Sequence, residues 1–137
     1  MIFSLEILQA HHGDALLLHY GKTTSPKLIV VDGGPKDIYS LSLKPRLEEI
    51  RENLDPSTTL RIEMVMVSHL DDDHINGVCE LFADTVEQNQ PGQTAAFKLK
   101  NLWVNTFDDI IGNVPASGNC IYCCIVRSRI NFLSEYA

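Results

Sequence analysis

His69-Leu70-Asp71-Asp72-Asp73-His74 places two imidazoles and three carboxylates in six residues, directly after an apolar run. Imidazole nitrogens and carboxylate oxygens are the ligands that zinc and related divalent cations take. A stretch this dense in coordinating groups is a poor way to build a core and an efficient way to hold a metal. No histidine follows His74, and the others in the chain are His11, His12 and His19. Whatever site begins here is completed by carboxylates, by cysteines, by another chain, or not at all. A calcium loop is excluded: counted from Asp71, the sixth position is Asn76 rather than Gly and the twelfth is Phe82 rather than Glu.

The elements that must position this cluster follow from periodicity. Phe3, Leu5 and Ile7 alternate with Ser4 and Glu6, the pattern of a half-buried strand. Ala15–Tyr20 and Lys27–Asp32 follow as two more strands, joined as an antiparallel hairpin by the polar loop Gly21–Pro26. The third strand stops in Asp32-Gly33-Gly34-Pro35, where glycines permit close backbone approaches. Leu43, Leu47, Ile50 and Leu54 recur at helical spacing, and Pro45 places the helix start near Ser42 to Lys44. Asp55-Pro56-Ser57 ends that helix. Ile62–Ser68 is nearly continuous apolar sequence, which predicts a central strand covered on both faces. The His/Asp cluster sits at its carboxyl end, where sites collect in layered α/β folds.

After Gly77, the residues Val78, Leu81, Phe82 and Val86 predict a second helix that frays in 87–93. Phe97–Asn105 reads as one further strand, with Trp103 in the core. Beyond Gly112 the pattern degrades into a loop, 113–119, and an aperiodic apolar patch from Cys120 to Ile125. The expectation is an α/β fold with a mixed sheet and flanking helices over residues 1–112, then an irregular tail, 113–137.

Composition narrows the function classes. With 137 residues and 45% hydrophobic content, the chain suits one domain with a real core. A net charge of −7 leaves no basic stripe to track a phosphate backbone, so a broad nucleic-acid surface is disfavoured. A metal site that hydrolyses a phosphodiester remains open, because the cation supplies the positive charge. Cys79, Cys120, Cys123 and Cys124 are too few and too uneven for a disulfide scaffold. Cys120-x-x-Cys123 has zinc-knuckle spacing without a second pair and reads as incidental. The first ten residues lack the basic region of a signal peptide, and no apolar run reaches membrane-helix length. A cytoplasmic setting, with no membrane contact, is the expectation.

The order strand–strand–strand–helix–strand, with His-x-Asp-x-Asp-His at the last strand's exit, resembles the amino-terminal half of the metallo-β-lactamase fold superfamily. The usual signature there is His-x-His-x-Asp-His, and Asp71 stands where the second histidine falls. The variant is similar to the branch that includes the hydrolase-like domains of bacterial DNA-uptake channel proteins. Gly13-Asp14-Ala15 and Asp32-Gly33 agree with that branch, and the resemblance spans residues 1–110. It implies the amino-terminal half of an αββα sandwich. It further implies His69 and Asp71 on a first metal, Asp73 and His74 on a second, and zinc as the ion. Asp73 also takes the catalytic role of orienting or deprotonating the attacking water. Asp32 holds a ligand by hydrogen bonding without touching metal, and Asp72 points away. The implied reaction is water attack on an ester, with a phosphodiester favoured over a β-lactam.

The family completes its site with histidines and a bridging aspartate from its carboxyl-terminal half, and those histidines do not exist in this sequence. The resemblance therefore implies a truncated hydrolase, weakly active or inactive. The alternative is a non-catalytic interaction module, or a fragment that requires a partner chain to cover its sheet, with Val65 or Met66 and the patch 120–126 exposed. His11 and His12 are expected in a solvated turn, His19 as a packed or surface residue, and Asp14 as a cap of its own turn. Asp108-Asp109 is expected to open a short helix.

Overall fold

The computed structural model describes residues 1–55, 57–88 and 94–105, and these belong to a compact unit spanning Met1–Asn105. The tail 113–137, the cysteines at 120, 123 and 124, and Asp108-Asp109 lie outside the described residues. The chain runs β1 (Ile2–Ile7), β2 (Leu16–Lys22), β3 (Ser25–Val31), a π-helical turn (Tyr39–Leu43) leading into α1 (Lys44–Leu54), β4 (Leu60–Val67), α2 (Asp72–Gln88), β5 (Phe97–Leu99) and β6 (Leu102–Val104). The fold is mixed α/β: one six-stranded sheet in the order β1-β2-β3-β4-β5, with β6 also paired to β4. β1, β2 and β3 form an antiparallel meander, whereas β3, β5 and β6 all run parallel to β4. Among the described residues, no helix is long and apolar enough to cross a membrane.

Three boundaries differ from the sequence reading. The β2–β3 ladder continues to Lys22↔Ser25, so Gly21 and Pro26 lie inside strands and only Thr23-Thr24 turns the chain. The expected strand 97–105 is two short strands, β5 and β6, broken at Lys100-Asn101. The third, at the start of α2, bears directly on the candidate site.

Both helices bury their apolar stripes on one face of the sheet. Leu17, Leu28, Val30, Ile62, Val65 and Val67 point to that face and are buried. They meet Leu43 and Leu47 from the first helical segment and Ile75, Val78 and Leu81 from α2. Each such side chain contributes roughly 1.5–3 kcal/mol of transfer free energy. A register shift between Leu28 and Ile29, opposite Glu63 of β4, puts Ile62 and Val65 on the same side despite their odd spacing. This corrects the sequence expectation for Val65: it is 0% exposed, packed under the helices.

The other face carries a second apolar set. Ile7, Leu16, Val31, Met66 and Trp103 form one row across five strands. Leu5, Leu18, Ile29 and Met64 form the next, and Phe3, Tyr20 and Lys27 a third. None of these residues is buried; Phe3 and Ile7 are 79% and 76% exposed. Strand β1 was rightly expected, but its apolar alternation faces away from the helices. Trp103, expected in the core, is 46% exposed. Among the described residues, helices cover one face of β4.

Polar clamps tie the elements together. The Tyr39 hydroxyl donates to Asp84 of α2, and Lys44 pairs with the same carboxylate at 2.8 Å. Burial, reinforced by this bond to a carboxylate, pushes the Tyr39 phenol above its ordinary range. Arg46 of α1 donates through Nε to Glu6 of β1 at 2.6 Å, and His19 Nε2 lies 3.0 Å from the same carboxylate. The Arg46 bond holds the Glu6 carboxyl below its ordinary value of 4.5. A depressed carboxyl adds stability above the unfolded value and loses it as pH falls through the folded one. Glu6→Gln is therefore expected to lower stability at pH 7 by about 0.5–1 kcal/mol, as a half-exposed ion pair does. The difference should vanish in urea melts carried from pH 5 down to well below 4.5. A difference that persists there would locate the effect in packing rather than charge.

Candidate metal centre

The carboxyl end of β4 delivers Ser68 and His69 to the rim of the sheet, and α2 begins three residues later. The Asp71 carbonyl accepts from His74 N at 2.9 Å and Ile75 N at 3.1 Å, which closes the first helical turn. Asp72 and Asp73 occupy that turn, where negative charge meets the positive end of the helix dipole. The cluster is thus a loop for three residues and a helix from Asp72 on, not a continuous loop. The cue lies in the sequence: aspartate at the start and acids in the first turn are a helix-start pattern.

Two glycines bring β3 and the β1–β2 connection against this turn. The Asp32–Gly34 segment docks on α2 through Gly33 N to His74 O at 2.8 Å and Gly77 N to Gly34 O at 3.1 Å. The approach is so close that a Cβ on Gly77 meets the Gly33 carbonyl oxygen at 2.0 Å. Gly13, at φ +83°, sits against the Asp73 backbone, where a Cβ falls 1.9 Å from the Asp73 carbonyl oxygen.

Asp32 organises the site. It is 2% exposed, adopts a left-handed conformation (φ 56°) and points into the gap between β4 and α2. Its Oδ1 accepts from Ser68 N at 2.7 Å, and its Oδ2 accepts from Ser68 Oγ at 2.6 Å. Oδ2 also lies 3.1 Å from His74 Nδ1. A carboxylate only accepts, so His74 carries its proton on Nδ1 and keeps the Nε2 lone pair free. The Ser68 hydroxyl spends its one proton on Asp32 and so accepts from His69 Nδ1 at 2.9 Å. One buried carboxylate thereby fixes the tautomer of both imidazoles, with Nε2 as the ligating nitrogen in each. This is the arrangement by which carboxylates orient metal-binding histidines.

His69, Asp73 and His74 each offer a ligand atom, all within 4.8 Å of one another. His74 Nε2 is 3.6 Å from Asp73 Oδ2, and the two rings stand 3.7 Å apart at 46°. The group can hold a metal ion. Asp71 is not brought into it: its side chain is 76% exposed and lies 3.5 Å from His69 Nε2. The converging atoms thus come from both pairs that the sequence resemblance assigned to separate ions. Asp72 is exposed, as expected.

A second group joins Asp14, Asp32 and His74. The Asp14 carboxylate lies 3.8 Å from His74 Nδ1, on the solvent side of the ring. Asp14 was expected only to cap its turn, and Ser68 was not singled out at all. Neither carries a local signal, since their partners lie tens of residues away in sequence. His11 and His12 are exposed in the turn before Gly13, as expected, and His19 belongs to the Glu6 clamp. No family model, no curated protein and no solved structure matches this chain.

Proposed function

We propose that this chain is a zinc-binding domain of the metallo-β-lactamase fold superfamily, descended from a hydrolase that directs water onto an ester or phosphodiester bond. The observation that carries this reading is the Asp32–Ser68 network, which engages Nδ1 of both His69 and His74 and leaves each Nε2 free, that of His74 3.6 Å from Asp73. Two imidazoles and a carboxylate are a donor set that zinc accepts while leaving a position open. A bound zinc ion lowers the pKa of its water and offsets the negative charge of a phosphodiester.

The residues divide the remaining work. Asp32 and Ser68 hold the two rings. Asp73, with its side chain 38% exposed, reaches both the donor group and solvent, which suits it to orient the water and accept its proton. The rim is acidic at Asp14 and Asp71, so an anionic substrate is repelled unless a cation is in place. With three converging donors, one ion is held. Among the described residues the second donor group, Asp14, Asp32 and His74, shares His74 with the first and draws on the carboxylate that holds its ring, so two independent ion sites for a two-cation clamp are not assembled there. Turnover by the chain is accordingly weak or absent.

The test is zinc titration by calorimetry alongside hydrolysis of bis-p-nitrophenyl phosphate. One zinc per chain is expected, lost in His74→Ala, with phosphodiester turnover near background. No heat of binding in the folded chain would overturn the metal site. Rapid turnover abolished by His69→Ala would overturn the inactivity.

A further inference from the structure

The apolar face opposite the helices has no counterpart in the metal-site chemistry. Its first two rows, Ile7–Leu16–Val31–Met66–Trp103 and Leu5–Leu18–Ile29–Met64, contain no charge. Among the described residues no helix packs on it, and the buried positions of β2, β3, β4 and β5 lie on the other side. A contiguous apolar surface of this kind marks an interface rather than a solvated face.

We propose that this face is the contact between two copies of the chain, packed sheet on sheet about a two-fold axis. Size is the first argument. The twelve positions of the three rows, each about 4.8 by 6.8 Å, cover roughly 390 Å² in projection. Two such faces, roughened by their side chains, remove on the order of 1,000 Å² from water, the lower bound for a specific interface. Self-complementarity is the second. A two-fold contact sets the same patch against itself, and uncharged apolar rows meet their own copy without repulsion. Charge supplies the third. Lys27, Arg61 and Lys98 gather at one end of this face around Glu63, which pairs with Arg61 at 3.0 Å and leaves that end net positive, while the Asp71–Asp73 rim lies at the other, at the exit of β4. With strands antiparallel across the interface, the cationic end of one copy lies beside the acidic end of the other. Aligned sheets about 10 Å apart accommodate this.

The experiment is sedimentation equilibrium of the full chain at 5–200 µM (about the range for a modest dimer). The expected mass is twice 15.3 kDa. Leu5→Lys, on the exposed edge strand, is expected to raise the dimer dissociation constant at least about 100-fold with an unchanged circular-dichroism spectrum. Trp103→Gln supplies the same test should Leu5→Lys fail to fold. Leu54→Lys, equally exposed but on α1, leaves the dimer intact. A wild-type monomer throughout this range overturns the proposal and assigns the cover to another occupant. So does a dimer that survives both face substitutions. Neither result bears on zinc binding, so this proposal and the metal site fail independently.

Discussion

Gly77→Ala is expected to destabilise the fold by about 3 kcal/mol or more, although alanine is the better helix former. Helix propensity alone favours the substitution by up to about 1 kcal/mol. Opposing this, the added methyl would stand 2.0 Å from the Gly33 carbonyl oxygen and 2.7 Å from its carbon. Both are backbone atoms, so no rotamer change relieves the overlap. α2 must instead withdraw from the Asp32–Gly34 turn, which breaks the Gly33–His74 and Gly77–Gly34 hydrogen bonds. Overpacking of this kind exceeds the propensity gain. Urea denaturation reads the effect directly, and a midpoint that is unchanged or raised would show that the β3–α2 contact is looser than described here. Because the same withdrawal carries His74 away from Asp32, zinc affinity falls with stability.

Asp32→Ala is the second large effect, and it separates folding from metal binding when paired with Asp32→Asn. The alanine leaves His74 Nδ1–H and Ser68 N–H buried without acceptors, at about 1–3 kcal/mol each. It also places alanine at φ 56°, which costs roughly 1–2 kcal/mol. A loss of about 3–5 kcal/mol is a large share of the stability of an ordinary domain. Asparagine tolerates the left-handed conformation and can still accept from Ser68 N through its amide oxygen. Its amide group, however, confronts Ser68 Oγ and His74 Nδ1, both of which need an acceptor. Thermal melts should therefore show Asp32→Asn recovering much of the stability. Zinc calorimetry should show it still about 10–100-fold weaker than the unsubstituted chain. Asp32→Asn binding zinc with undiminished affinity would sink the claim that this carboxylate sets the histidine tautomers.

Much of the fold was legible because its signals are local. The period-two alternation of β1, the hydrophobic run of β4 and the Leu43–Leu54 spacing each belong to one segment, and each gave its element. The misplaced boundaries have local causes as well. Pairing through Lys22↔Ser25 drew Gly21 and Pro26 into strands, and Pro26 is tolerated near the start of β3, ahead of the β3–β4 ladder that begins at Leu28. The density of aspartates read as loop, where Asp72 and Asp73 in fact start α2. Trp103 and Phe3 were misjudged for another reason. Alternation says that a strand has two faces, not which of them a helix will cover.

The sequence by itself determined the candidate donor types, their spacing and the strand that carries them, because composition and periodicity are properties of neighbouring residues. The family resemblance, rather than composition or periodicity, is what singled out Asp32. Only the tertiary structure decided that Asp32 reaches both histidines, one directly and one through Ser68, and that Asp73 rather than Asp71 joins them. It alone decided, too, which face of the sheet is covered. Those outcomes depend on β3, β4 and α2 meeting across 36 and 42 residues of chain. Backbone packing at Gly33 and Gly77 brings that meeting about, and no local pattern encodes it.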